Sequence, residues 1–299
     1  MIKHGGFPIN VFKVLFEACV CSILDYGSEI WGAHEYFSTK KIHCRAIRAF
    51  LGLPKSTPIS GLLNEINLLS PRSRTQIKMV QQFHRVLKMD DSRLTKKILK
   101  YDLVFGQNGA KSCWSSDIKD IFTRNNLNNN FSTFPFNIKH TIDDLTQSLL
   151  SKDQLKWKNE CNNLPKLRTY VKANDFFGSK SYIYKPLSFV QRKFLAKLRL
   201  GVLSIRVETG RFERPRLEEN LRFCLACKDG NSVETEVHFL LHCAVYDRIR
   251  NELFEKIEAD TFFTWDDEEK YKYLTCDSSI VKTTAQFIIN AYDIRSTKI

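Results

Sequence analysis

Apolar residues recur at intervals of three and four along much of the chain, and this spacing limits the fold more than any other feature. The clearest stripes are Ile42, Ala46, Ala49 and Phe50, then Ile77, Val80, Phe83 and Leu87. Residues three and four apart lie on one face of an α-helix, so each stripe predicts a helix with a buried face. The first helix should end at Gly52-Leu53-Pro54 and the second near Asp90. The sequence therefore predicts a mostly α-helical fold.

Two short motifs, TPISGLL and SPRSRTQ, carry the same helix-start signal. Thr57 or Ser70 would be the N-cap, and the following Pro58 or Pro71 would be the first helical residue. Signals for strands are sparse. The strongest is LGVLSIRVETG at residues 200–210, where apolar and polar residues alternate imperfectly.

The charge of the chain is strongly positive and unevenly distributed. Among 299 residues there are 46 Lys and Arg against 33 Asp and Glu, a net charge of +13. Residues 151–223 carry +10, whereas residues 224–299 carry −5. Basic residues bind phosphates and aromatic rings stack on bases, so a basic run with interleaved phenylalanines predicts contact with RNA or DNA. A solvated surface would give the same pattern. The predicted contacts are Lys185, Arg192, Lys193, Lys197, Arg199, Arg206, Arg211, Arg214 and Arg216, among Phe189, Phe194 and Phe212.

The segment CLACKDGNSVETEVHFLLHC, residues 224–243, has the composition of a metal site. Cys224 and Cys227 form a C-x2-C pair, which lets two thiolates hold one tetrahedral ion from a tight turn. His238 follows, and the fourth ligand is either His242, on the same helical face, or Cys243, which can join only where the helix bends or ends. Spacing alone leaves both sets open, as well as a small core of buried thiols. Three thiolates with one imidazole suit Zn²⁺ in a structural role. A helix bracing the site is predicted by apolar residues four apart: Val245, Ile249, Leu253 and Ile257.

No group of residues has the pattern of a catalytic site. LKMDDSR at 87–93 lacks the aromatic residue of the Y-x-D-D metal-binding turn, and GQNGAKS at 106–112 lacks the residue order of a phosphate-binding loop. We therefore expect a protein without enzymatic activity. An odd number of cysteines, and no apolar run long enough to span a bilayer, predict an intracellular protein of nucleus or cytoplasm without a membrane or small-molecule partner.

Four stretches, taken together and in order, resemble one continuous region of a known family. They are LFEACVCSILDYGSEIWG (15–32), LLNEINLLSPRSRTQIKMVQQFHRVLKM (62–89), KLRTYVKANDFFGSKSYI (166–183), and residues 194–254 with the Cys/His segment. The region is the C-terminal part of the reverse transcriptase polyprotein of LINE-type, non-LTR retrotransposons. The resemblance extends over most of the chain.

The resemblance implies roles for two of these stretches. YGSEIWG would lie in or just after the thumb, and the zinc ligands would be Cys224, Cys227, His238 and Cys243, because the family varies at the position of His242. The fingers, the palm with its Y-x-D-D turn and the endonuclease have no counterpart in the chain, so polymerase activity is not carried over. We expect either a truncated copy of such an element or a gene model that covers only the tail of the element.

Five segments are predicted: a helical thumb-like connector (1–124), an Asn-rich linker (125–135), a basic helical region (136–223), a zinc module with its bracing helix (224–260) and an acidic tail region (261–299). The predicted fold is mostly α, with helical-bundle segments and a small C-terminal zinc-knuckle module. The predicted function is non-catalytic binding of template RNA or target DNA, stabilised by zinc. The alternatives are a zinc-stabilised protein-interaction module and an inert transposon remnant.

Overall fold

The computed structural model describes residues 6–107, 113–127, 137–174, 180–228 and 230–299. Within these ranges the chain is mostly α-helical, as predicted, and has no strand; one isolated antiparallel bridge joins Phe223 and Val233. No helix within these ranges is long and apolar enough to cross a membrane.

Helices α1 to α15 are Ile9–Leu15, Ser22–Leu24, Ser28–Trp31, Phe37–Leu51, Ile59–Ile66, Pro71–Leu87, Leu94–Gln107, Trp114–Arg124, Ile138–Asn162, Arg168–Ala173, Phe189–Arg199, Arg206–Thr209, Asp247–Phe254, Asp267–Cys276 and Val281–Lys298. Two π-helical turns cover Phe16–Cys21 and His238–His242, and 3-10 turns cover Pro165–Leu167, Ser181–Tyr184, Glu219–Leu221, Ala244–Tyr246 and Phe262–Thr264.

The chain forms two compact units, and each collects stretches that are distant in sequence. Unit 1 contains Val14 and the described residues before it, then Cys44–Asn67 and Trp157–Ile299. Unit 2 contains Leu15–His43 and Leu68–Lys156. The five predicted segments follow chain order instead, and their boundaries stay predictions.

The start of the predicted Asn-rich linker is part of the folded structure of unit 2. Asn125 is buried directly after α8, and its side chain donates a hydrogen bond to the Ile121 carbonyl at 2.7 Å. Its amide oxygen accepts hydrogen bonds from Ser148 at 2.9 Å and from Lys152 at 2.8 Å. Residues 128–135 of the predicted linker lie outside the described residues.

Helix α6 provides the core of unit 2, and it confirms the second predicted stripe. Ser70 is the N-cap, as predicted, since its hydroxyl accepts a hydrogen bond from the Ser73 backbone N–H at 3.1 Å. Val80 and Phe83 are fully buried. They pack in one cluster with residues of α6, α7, α8 and α9: Met79, Val86, Leu87, Leu99, Ile118, Ile121, Phe122, Leu145 and Leu149.

Two details of the predicted helices are wrong. Pro58, not Thr57, is the N-cap of α5, and the Thr57 hydroxyl instead donates to the Pro54 carbonyl at 2.8 Å. Helix α4 forms as predicted, but Ile42 is 47% exposed. The buried face of α4 is rotated from the predicted stripe by roughly 100°, the angle between two consecutive residues of a helix. That face consists of His43, Cys44, Ile47, Phe50 and Leu51.

The predicted strand at residues 200–210 is also wrong. Gly201 has a left-handed φ of +63° after α11, and a Cβ there would lie 1.9 Å from the Lys166 carbonyl oxygen. The N–H of Val202 donates to the Lys197 carbonyl at 2.9 Å, which closes a Schellman turn. The apolar residues Leu203, Ile205 and Val207 are all buried, so they fill the core of unit 1 from a loop and a short helix.

A fully buried ion pair lies in unit 1. The Arg199 Nε on α11 is 2.6 Å from Glu65 Oε1 on α5, and both side chains have no exposed surface. Burial alone would raise the pKa of Glu65, but the Arg199 charge and the hydrogen bonds outweigh it and lower the pKa. The Arg199 guanidinium also donates hydrogen bonds to the Thr275 carbonyl and the Asn174 amide oxygen. The Glu65 carboxylate accepts hydrogen bonds from the hydroxyls of Tyr170 and Tyr182.

Unit 2 contains a buried histidine beside a buried ion pair. Asp25 accepts two hydrogen bonds from Arg74, at 2.7 and 2.8 Å. The ring of His43 is fully buried against Phe16, with centroids 4.9 Å apart. Burial, together with the Arg74 charge, lowers the pKa of His43 to about 3. This imidazole is therefore neutral in the folded protein.

We expect His43 to make unit 2 sensitive to acid. The pKa of His43 is 6.5 in the unfolded chain and about 3 in the folded protein. Below pH 6.5 the imidazole is therefore protonated in the unfolded chain but stays neutral in the folded protein. Stability should fall by about 1.4 kcal/mol per pH unit, or about 2 kcal/mol at pH 5. Urea unfolding at pH 7 and pH 5 should show that His43→Leu removes most of this difference. The exposed His140→Leu substitution is the control, and an equal effect of both would contradict the assignment.

Candidate metal centre

Four side chains of the predicted cluster converge on one point in unit 1. The donor atoms of Cys224, Cys227, His238 and Cys243 all lie within 4.8 Å of one another. The Cys224 and Cys243 sulfurs are 3.9 Å apart, and the Cys227 sulfur is 3.7 Å from His238 Nε2. Cys224, His238 and Cys243 are buried, and Cys227 is partly exposed. This Cys3His cluster could hold one metal ion.

A π-helical turn decides which of the two open ligand sets is assembled. The Cys243 N–H donates to the His238 carbonyl at 2.8 Å, a bond five residues back in the chain instead of four. The wider turn puts Cys243 on the same side as His238. His242 points away, with its Nε2 2.7 Å from Asp267, and its side chain is about half exposed. The structure therefore excludes His242 from the cluster.

The loop between the ligand pairs is closed by a short antiparallel contact. The Cys224 N–H donates to the Ser232 carbonyl at 2.8 Å, and the Glu234 N–H donates to the Arg222 carbonyl at 3.0 Å. Lys228 and Gly230 have positive φ angles, which let the chain reverse after the C-x2-C pair. The closure brings Cys224 and Cys227 back toward His238.

The thiols are chemically coupled. Contact with the Cys243 sulfur, and then burial, raises the pKa of Cys224 to about 12, while the same contact lowers the pKa of Cys243. A buried group of thiols can lose several protons together only if a cation offsets their negative charge. The donor set is therefore suited to a cation that prefers thiolates.

Helix α13 braces the cluster, partly as predicted. Ile249 and Leu253 are buried, whereas α13 ends before Ile257. The stronger connection is polar and was not predicted. Arg250 donates to the Cys243 carbonyl at 2.7 Å and to the Leu240 carbonyl at 3.1 Å, so it satisfies carbonyl groups left open where the π turn ends.

Glu234 fastens the loop to the C-terminal helix. Its fully buried carboxylate contacts Arg295 of α15 at 2.8 and 2.9 Å, and it accepts the Arg206 backbone N–H at 2.5 Å. Charge-assisted bonds of this kind are strong when buried. The loop is thus fixed to α12 and α15 immediately before His238.

Glu236 fastens the same loop to α10. Its buried carboxylate accepts bonds from Arg168 at 3.0 and 3.1 Å and from the Thr169 hydroxyl at 2.9 Å. The sequence gives no signal for either anchor, because Glu is rarely buried and both residues lie in a polar, turn-rich stretch. Thr235 between them accepts the His238 N–H at 3.1 Å.

The predicted nucleic-acid contacts are not all at the surface. Arg199 is buried with Glu65, and Arg192 is buried over the Phe50 ring at 4.1 Å, so these two cannot serve as contacts. Arg206 pairs with Glu213, and Arg211 lies 3.1 Å from Glu208. The remaining five are exposed or half-buried: Lys185, Lys193, Lys197, Arg214 and Arg216.

Metal binding should depend on Cys243 and not on His242. Purified Cys243→Ser protein should lose most of its bound metal, because one of four donors is replaced by a weaker one. His242→Ala should retain about one metal ion per chain, since its ring faces Asp267. Elemental mass spectrometry and the absorption of the Co²⁺-loaded protein would measure both. Metal loss in His242→Ala with retention in Cys243→Ser would contradict the ligand set.

Replacing the Glu234 anchor should destabilise unit 1. Glu234→Gln leaves the Arg295 charge buried without its partner, and we expect a loss of roughly 3 kcal/mol in unfolding free energy. Glu268→Gln, which removes an exposed ion pair with Lys172, should cost at most about 1 kcal/mol. Chemical denaturation would compare them, and equal losses would refute the anchoring role of Glu234.

Comparison of the chain with protein-family models, with curated proteins and with solved structures finds no significant match. The resemblance to non-LTR retrotransposon reverse transcriptases therefore stays a prediction based on the quoted motifs. The local geometry of the Cys3His cluster and the surface charges of unit 1 carry the functional interpretation.

Proposed function

We propose that the chain is a non-catalytic, zinc-stabilised protein segment that binds RNA or DNA. The observation that carries the nucleic-acid part is a pair of lysines on α11, Lys193 and Lys197, for which the described residues offer no carboxylate partner. The zinc part rests on the donor set of the Cys3His cluster. The resemblance to the C-terminal part of non-LTR retrotransposon reverse transcriptases supports both parts.

Zinc fits the donor geometry. With metal–sulfur bonds of about 2.3 Å, two sulfurs of a tetrahedral site are roughly 3.8 Å apart. The Cys224–Cys243 separation is 3.9 Å, and the Cys227–His238 separation is 3.7 Å. Thiolates with imidazole favour Zn²⁺ over hard cations such as Mg²⁺. Iron as the bound metal in elemental analysis would contradict this assignment.

A structural role for the ion follows from its four protein ligands. A catalytic zinc keeps one position open for water or substrate, whereas a structural site is closed by four side chains. Here four protein side chains, Cys224, Cys227, His238 and Cys243, would supply all four ligands, since their donor atoms lie within 4.8 Å of one another. The ion would therefore hold the 224–243 loop in shape and would take no part in a reaction.

The lysines of α11 form a site for an anion. Lys193 and Lys197 are one helical turn apart, and their ammonium groups lie 6.0 and 5.8 Å from the centre of the Phe194 ring. Burial, and then the neighbouring Lys193 charge, lowers the pKa of Lys197. Among the described residues no carboxylate lies within ion-pair distance of either ammonium group. A phosphate would relieve this repulsion.

Phe194 adjoins these lysines, and a second ring, Phe212, lies beside another basic side chain of unit 1, Lys166. Phe194 packs edge-on against Tyr292 of α15, with ring centres 5.2 Å apart. Phe212 is 69% exposed, in the same stretch as the exposed Arg214 and Arg216. Exposed rings between basic side chains are the usual arrangement for stacking unpaired bases beside their phosphates. This arrangement favours single-stranded nucleic acid as the ligand.

Replacing both lysines should weaken binding and reduce its salt dependence. For a labelled single-stranded RNA, the slope of log affinity against log salt should fall by roughly 1.4 in Lys193→Ala/Lys197→Ala, because two phosphate contacts are lost. Fluorescence anisotropy between low and moderate salt would measure the slope. The matched control is Lys119→Ala/Lys139→Ala, two exposed lysines of unit 2.

The control double variant should keep the slope of the unsubstituted protein. Equal slopes in the two double variants would show that net charge alone, and not α11, attracts the RNA. Absence of binding at low salt, or binding that does not change with salt, would contradict the proposed function.

A further inference from the structure

Helix α7 of unit 2 has two apolar faces, and among the described residues only one of them packs into the core cluster. Leu99 is buried in the core cluster, and Leu103 packs against that cluster from the same side. On the opposite side the exposed fractions are high: Leu94 72%, Ile98 58%, Tyr101 70% and Phe105 62%. A helix that is apolar on both sides is normally covered on both.

Four of the exposed apolar residues of α7 form a seam. Leu94, Ile98, Tyr101 and Phe105 are spaced by four, three and four residues, which is the spacing of the a and d positions of a coiled coil. The seam is about 16 Å long, from the helical rise of 1.5 Å per residue. Val104, 55% exposed, lies beside the seam on the side of Lys97. The four seam residues with Val104 accommodate one packed helix, whereas a membrane-surface helix presents a broader apolar face.

One border of the seam is basic. Arg93, Lys97 and Lys100 are exposed on that side. Among the described residues a carboxylate lies within ion-pair distance of Lys100 only, where Asp91 is 2.8 Å away. The acidic residue on the other border, Asp102, is engaged within the unit, because its carboxylate accepts the Ser115 N–H at 2.7 Å. Lys97 takes the position next to the seam that sets partner choice in coiled coils.

We propose that this face of α7 is a docking site for one amphipathic helix of a protein partner with acidic residues beside its apolar seam. Leu, Ile and aromatic side chains of α7 would pack against the apolar positions of that helix. Its carboxylates would lie opposite Lys97, on the side of α7 that also carries Arg93. A second copy of this chain fits poorly, since pairing the same face with itself brings like charges together.

The proposal does not depend on nucleic-acid binding, because its residues lie in unit 2 and those of the α11 site lie in unit 1. A synthetic three-heptad helical peptide with Leu at a and d and Glu at e and g is the probe. With a fluorescent label, it should bind the full-length protein saturably in anisotropy measurements, and less tightly as salt rises. The same peptide with Lys in place of Glu should bind at least about tenfold more weakly.

Two variants of the protein test the location of the site. Ile98→Ser/Tyr101→Ser should weaken binding of the Glu peptide by at least about tenfold, because two apolar anchors are lost. The control is Ile23→Ser/Tyr26→Ser, exposed apolar residues of the same unit, and it should bind like the unsubstituted protein. Lys97→Glu, which keeps every apolar contact, should weaken the Glu peptide and strengthen the Lys peptide.

Three results would overturn the proposal. The first is equal binding of the Glu and Lys peptides, or no binding of either. The second is cosedimentation with phosphatidylserine vesicles that Ile98→Ser/Tyr101→Ser abolishes, without peptide binding, which would make the face a membrane contact. The third is a dimer in sedimentation equilibrium that the same variant dissociates, which would make a second copy the occupant.

Discussion

The ion pair of Glu65 and Arg199 is the interaction on which the packing of unit 1 depends. Moving an unpaired charge into a protein core costs several kcal/mol, so neither side chain could be buried without the other. Their partners come from α5, α10, α11 and α14, and these helices satisfy the pair only when all are in place. Helix α11 also carries Lys193 and Lys197, which are partly exposed. The buried ion pair therefore helps to position these two lysines.

The sequence predicts helices well where one face is plainly apolar and a cap is present, as in α6 with Ser70. It fails where local patterns compete. In α4 two apolar stripes are available, and only the tertiary structure selects the one with Ile47 and Leu51. At residues 200–210 the alternation suggested a strand, but the left-handed turn at Gly201 ends α11 and redirects the chain. Such choices depend on contacts from distant segments, which spacing does not record.

For the candidate metal site, spacing identified the cluster but could not choose between His242 and Cys243. The choice depends on a π-helical turn, whose extra residue has no clear sequence signature. The anchors Glu234 and Glu236 escaped prediction for a related reason, since their partners Arg295 and Arg168 are distant in the chain. The sequence identifies basic residues only by type, so the predicted nucleic-acid contacts included the buried Arg192 and Arg199 together with exposed arginines.

The separation of Glu234 from Arg295 by 61 positions has a consequence for synthesis on the ribosome. At roughly 5–20 residues per second, Glu234 is added to the chain roughly 3 to 12 seconds before Arg295. All donors of the Cys3His cluster, in contrast, lie within residues 224–243 and are translated together. An ion captured at that stage would hold the loop closed while α15 is still being translated. The metal would then fix the loop first, and the completed helix would add a second fastening to it.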